Sequence, residues 1–110
     1  MLNPDVRDIL TRARARIADP AKWTQGALAR PSNNHTSPAV APSSTYAACW
    51  CAEGAIKREA AEQPTGTIFA GDFALNEMNK ACDTSPHIWH FNDTHTHAEV
   101  LALFDKVLTQ

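Results

Sequence analysis

The sequence predicts an all-α protein, a compact single domain of four to five short helices with a proline- and serine-rich loop at about residues 31–44. Three observations predict this fold. Apolar residues recur at helical spacing in several segments, proline and Asx residues stand where helices would begin, and strand patterns are nearly absent. The 110 residues suit one domain spanning residues 1–110, and alanine supplies much of the 44% hydrophobic fraction. We therefore expect a small core between closely packed helices.

The first helix is predicted over residues 4–18. Asn3 can cap it, and Pro4 suits the first helical position. Asp19 and Pro20 repeat this signal and predict a short second helical segment that carries Trp23. The apolar stripe of the first helix comprises Val6, Ile9, Leu10, Ala13 and Ile17. Residues 31–44 then predict an exposed loop, because prolines, serines and asparagines dominate them.

A central, alanine-rich helix is predicted over residues 44–62, with Ser44 or Thr45 as its cap. One of its faces would combine small residues with a large indole, a surface that another helix can approach closely. The members of that face are Ala47, Trp50, Cys51, Gly54 and Ala55.

The remaining segments predict two more helices. A third helix should begin near Asp72, on the apolar residues of the segment 69–78, although residues 67–69 could instead form one short strand. Residues 82–87 predict a loop, and residues 88–91 predict a brief connector, either extended or a single turn. The last helix is predicted over residues 96–108, and its buried face would comprise Val100, Leu101, Phe104, Val107 and Leu108. Three tryptophans are predicted to anchor the core, namely Trp23, Trp50 and Trp89.

Charge and composition argue against several classes of function. The net charge of −2 gives no general attraction to nucleic acid or anionic lipid, and no apolar run is long enough to span a membrane. The N-terminus lacks the apolar centre of a secretory signal. Three cysteines, an odd number, do not make a disulfide framework, so we expect a cytoplasmic protein. No cofactor motif is present, and we expect no cofactor.

The segment FNDTHTHAEVLALFD, residues 91–105, contains the candidate catalytic residues. Thr96 and Glu99 match a capping box, and Asn92 and Asp93 suit a turn. Neither role requires the imidazole of His97. With Asp93 or Glu99 as its partner, His97 could serve as a general acid or base.

Two other kinds of chemistry are weakly indicated. Zinc ligands could come from a histidine cluster with acidic residues and a cysteine nearby, but no familiar zinc-binding spacing is present. The histidines are His87, His90, His95 and His97, and the nearby residues are Cys82, Asp83 and Asp93. Cys49 and Cys51 would lie near a helix start, where a thiol can become nucleophilic. Buried, unreactive cysteines are the more common case.

Three ordered blocks resemble a family of small uncharacterised bacterial and phage proteins, domain of unknown function 6197. The blocks are residues 19–29, residues 50–55, and residues 91–93 together with 96–105. The resemblance implies a bacterial or phage setting and a shared scaffold, and brings no activity with it. Its signature positions are Trp50, Cys51, Gly54, Asn92, Asp93, His97 and Glu99. The resemblance also suggests a junction, and with it a set of binding residues: Trp50 and Cys51 packed against the start of the last helix, with Asn92, Asp93 and His97 between them.

The sequence thus favours a small non-catalytic protein that binds another protein of the host or phage, or a second copy of itself, as a modulator or inhibitor of a host system. One alternative is an enzyme, or a binder of a small ligand or metal, that uses the cluster around His97. A second alternative is weak nucleic-acid binding through the arginine-rich first helix, but such a run is usually a solvated face.

Overall fold

A computed structural model describes residues 2–63, 69–82 and 85–110. The described residues form five α-helices, a 3₁₀ turn and a small two-stranded antiparallel sheet. In chain order these are α1 (Pro4–Arg16), the 3₁₀ turn (Pro20–Lys22), β1 (Ala29–Arg30), β2 (Cys49–Trp50), α2 (Ala52–Ala61), α3 (Ala70–Ala81), α4 (Ile88–Thr94) and α5 (His97–Leu108). The predicted helical fold is confirmed, and the sheet is an addition to it.

Helix α1 forms where its sequence signals predicted. Asn3 Oδ1 accepts a hydrogen bond from the Asp5 amide at 2.8 Å and so caps the helix. Asp19 caps the 3₁₀ turn in the same way, through the Ala21 amide at 2.9 Å. The buried stripe of α1 packs against α2, α3 and α5, which places this helix at the centre of the bundle.

The predicted start of the central helix is wrong, because α2 begins at Ala52 and not at residue 44. The preceding residues are held extended by contacts with distant parts of the chain. The Ala48 amide donates to the Arg30 carbonyl at 2.9 Å, and Trp50 pairs with Ala29 across the sheet. This pairing buries Trp50 and overrides the helix propensity of the alanines. The predicted single helical face therefore does not form.

Helix α3 begins close to its predicted position and buries Met78 in the core, but its two phenylalanines do not face the core. Phe69 is 67% exposed and Phe73 is 61% exposed. Small residues take the core side because α3 lies close to α2. A Cβ atom added to Gly71 would lie 2.6 Å from the Ala60 Cβ. The alternative short strand at residues 67–69 lies mostly outside the described residues.

The predicted connector at residues 88–91 is wrong, since these residues belong to helix α4. Asn79 Oδ1, on α3, accepts the Ile88 amide at 2.8 Å and takes the place of a local cap. Ile88 is buried, but Trp89 is 46% exposed, so the prediction that Trp89 anchors the core is also wrong. Asn92, predicted to be in a turn, lies in the last turn of this helix. In the predicted loop at 82–87, residues 83 and 84 lie outside the described residues.

The capping box that was predicted for the last helix is confirmed. Thr96 Oγ1 accepts the Glu99 amide at 3.2 Å, and Glu99 Oε1 accepts the Thr96 amide at 2.9 Å. The bonds from Thr96 lower the pKa of the Glu99 carboxyl. Helix α5 buries four residues, namely Val100, Leu103, Phe104 and Val107.

The core is small and rich in alanine, as the composition predicted. Five of its fully buried residues are Ala13, Ala29, Ala52, Ala55 and Ala74. The predicted loop at residues 31–44 is confirmed as a run of turns and mostly exposed residues. Within the described part of the chain, no helix has the length and apolar character to cross a membrane.

Candidate functional site

Asn92 is fully buried, and its side-chain amide lies between three segments of the chain. Its Oδ1 atom accepts hydrogen bonds from Trp23 Nε1 at 2.7 Å and from the Ala52 amide at 3.0 Å. Its Nδ2 atom donates to the Thr24 carbonyl at 3.0 Å and to Asp93 Oδ1 at 3.1 Å. The amide thus uses both acceptor positions and both donor hydrogens. We call this meeting of residues 23–26, the start of α2 and the end of α4 the Asn92 junction.

Residues 25 and 26 add further bonds to the Asn92 junction. Gln25 Nε2 donates to the Asn92 carbonyl at 3.0 Å and to the His95 carbonyl at 3.1 Å. It thus supplies hydrogen bonds to carbonyl groups at the C-terminal end of α4, which have no partner within the helix. Asp93 Oδ1 accepts the Gly26 amide at 3.0 Å. Gly26 has a φ of 80°, a backbone conformation that favours glycine.

Cys51 caps α2 and does not act as a reactive thiolate. Its Sγ atom accepts the Gly54 amide at 3.3 Å. Burial, with smaller contributions from the charges of Glu53 and Asp93, raises the pKa of the Cys51 thiol to about 12. Burial also raises the pKa of Cys49. At neutral pH Cys51 is therefore protonated, whereas a nucleophilic cysteine needs its thiolate form.

His97 bonds to the end of α1. Its Nε2 atom lies 2.6 Å from the Ile17 carbonyl oxygen, so this nitrogen carries the hydrogen and donates it. The imidazole also lies against the Trp23 ring, with 5.3 Å between the ring centroids. Asp93 bonds within the Asn92 junction and Glu99 bonds within the capping box. The three candidate catalytic residues are therefore held by separate parts of the scaffold.

The candidate metal-binding histidines do not converge, and His97 is bonded to the Ile17 carbonyl. His95 stacks on Phe91, with 3.7 Å between the ring centroids. His87 and His90 lie instead on either side of Trp89 in sequence, and both rings contact its indole. In the ranges that the structure describes, no group of three or more His, Cys, Asp or Glu residues could hold a metal ion. Asp83, which the sequence suggested as a further ligand, is outside those ranges.

Two arginine side chains lie over the Trp50 ring. The guanidinium carbons of Arg16 and Arg58 lie 4.8 and 5.5 Å from its ring centroid. Its Nε1 atom donates to the Pro42 carbonyl at 3.0 Å and so ties the long loop to the core. A cleft of about 600 Å³ opens beside it, lined by Arg12, Ala15, Arg16, Lys22, Ala48, Trp50 and Glu59.

The arginines of α1 are mostly paired with acidic residues of the same chain. Arg12 pairs with Asp8 at 3.0 Å, and Arg14 pairs with Asp105 at 2.7 Å. Arg16 pairs with Glu59, which is buried. The cations that line the cleft are Arg12, Arg16 and Lys22. Of these, only Lys22 has no ion pair within the described ranges.

A second pocket, of about 340 Å³, opens at the Asn92 junction. We call it the acidic pocket, because its charged lining residues are Glu53 and Asp93. The other lining residues are Gly26, Ala27, Leu28, Cys51 and Trp89.

Over residues 1–110, the chain matches the model of one protein family, described as a family of unknown function (DUF6197). The chain belongs to DUF6197. Neither a curated protein nor a solved structure matches it. The resemblance seen in the sequence is thus confirmed, and the family description adds no activity to it.

The blocks that carry the DUF6197 resemblance come together at the acidic pocket. Residues 26–28 belong to the first block, Cys51 and Glu53 to the second, and Asp93 to the third. Among the predicted binding residues, Cys51 and Asp93 line this pocket, and the buried Asn92 bonds to Asp93. Trp50 lines the cleft beside Arg16 instead. His97 contacts the ring of Trp23, which in turn bonds to Asn92.

Several residues of this DUF6197 site were not singled out from the sequence as site residues, and Gln25, Glu53 and Trp89 are examples. Gln25 bonds the loop to α4, and Glu53 and Trp89 line the acidic pocket. Gln25 and Glu53 stand inside the family blocks, which is the signal that could have found them. Trp89 gave no such signal, because an apolar aromatic residue is usually part of the core.

Proposed function

We propose that this DUF6197 protein is a small, non-catalytic cytoplasmic protein that acts by binding another protein, as a modulator of a host system in a bacterial or phage setting. One observation carries the proposal. Of the eight aromatic residues other than histidine, four are exposed, namely Tyr46, Phe69, Phe73 and Trp89. A core short of large side chains would gain by burying them. Aromatic residues are also enriched in protein–protein interfaces.

Phe69 and Phe73 form the most concentrated part of this exposed set. Phe69 is the residue just before α3, and its carbonyl accepts the Phe73 amide at 3.1 Å, so the two residues lie one turn apart. Both rings are more than half exposed. Two large apolar side chains one turn apart are the arrangement by which a helix docks in an apolar groove of a partner. We therefore place the principal contact with the partner protein on this face of α3.

The polar residues that suggested catalysis support the same proposal. Asn92 has all of its amide bonds within the chain. Cys51 is a buried helix cap, and His97 donates to a backbone carbonyl. These bonds give the polar residues a structural role. A cytoplasmic location agrees with the free, buried thiols of Cys49 and Cys51.

The proposal is tested by affinity capture from a native bacterial lysate, with size-exclusion chromatography of the purified protein. We expect the wild type to retain a partner or to associate with itself. The double variant Phe69→Ser/Phe73→Ser should lose this association while its thermal unfolding stays close to that of the wild type.

The matched control is Asn76→Ser/Lys80→Ser, which changes two exposed polar residues one turn apart on the same helix. It should associate as the wild type does. The proposal fails if the wild type shows neither a partner nor self-association, or if the phenylalanine variant captures the same protein equally well.

A further inference from the structure

We draw no further inference here: the strongest candidate, the cationic cleft beside Trp50, carries none, because Arg12 and Arg16 in its lining already pair with carboxylates of the same chain and, within the described ranges, no buried side chain without a partner lines the cleft to indicate a ligand.

Discussion

At the scale of single residues, the bonding of Asn92 explains why an amide occupies a fully buried position. The Trp23 indole and the Ala52 amide both need an acceptor, and the Thr24 carbonyl needs a donor. Asparagine offers both functions on one short side chain. A leucine of similar size would leave these groups unpaired, and aspartate would lose the donor. Asn92 thus stabilises the fold by bonding its buried neighbours, since each polar group left unpaired would lower the free energy of unfolding by about 1–3 kcal/mol.

The buried thiol of Cys51 makes a prediction about pH. Its pKa is about 12 in the folded protein, above the ordinary value of 9.0. Between these values the unfolded chain has lost the thiol proton and the folded protein still holds it, so folding binds a proton. The free energy of unfolding should therefore be fully maintained below pH 9 and should fall as the pH rises toward 12. Urea denaturation at a series of alkaline pH values measures this fall.

Cys51→Ser is the control for that series. Serine can cap α2 as cysteine does, and its hydroxyl does not titrate in this range. The variant should therefore lose less stability between pH 9 and 12. Equal slopes for the two proteins would show that the thiol does not cause the fall.

At the scale of elements, α2 is positioned by a close approach to the loop before β1. The Cys51 amide donates to the Leu28 carbonyl at 3.2 Å. One turn further on, a Cβ atom on Gly54 would overlap the same carbonyl group. The obstacle is backbone rather than the flexible end of a side chain. The glycine therefore sets how near the helix comes to the loop.

Gly54→Ala should destabilise the protein by about 3 kcal/mol or more, because the helix or the loop must shift to admit the methyl group. The loss outweighs the gain of up to about 1 kcal/mol that alanine normally brings to a helix interior. Urea denaturation of both proteins measures the difference. Ala61→Ser, an exposed change on the same helix, should stay within about 0.5 kcal/mol of the wild type. A Gly54→Ala variant as stable as the wild type would contradict the close approach.

The elements that the sequence predicted well are those whose signals are local. Asn3, Asp19 and Thr96 each cap the helical segment that follows them, and the capping box at α5 is complete. The elements that it predicted poorly depend on distant partners. Residues 48–50 are extended because they pair with β1, nearly twenty residues earlier in the chain. The first amide of helix α4, that of Ile88, donates to Asn79 Oδ1 on another helix, so no local pattern could predict this helix start.

At the scale of the whole molecule, the three family blocks come together at the Asn92 junction of a single compact domain. The radius of gyration is 12.8 Å, close to the value of about 13 Å expected for one domain of this length. Two of the bonds at the Asn92 junction join residues 68 and 69 positions apart in the sequence. The sequence could name Asn92, Asp93 and Cys51 as members of a site. It could not place Glu53 and Trp89 beside them, because their meeting depends on the packing of α2 against α4.

The most direct test of this account is the stability of Asn92→Ala, measured by urea denaturation beside Asn76→Ala, an exposed asparagine on α3. We predict that Asn92→Ala lowers the free energy of unfolding by about 3 kcal/mol or more, because it leaves buried partners without bonds. Asn76→Ala should remain within about 0.5 kcal/mol of the wild type. An Asn92→Ala variant that unfolds at the wild-type urea concentration would contradict the claim that these polar residues hold the scaffold together.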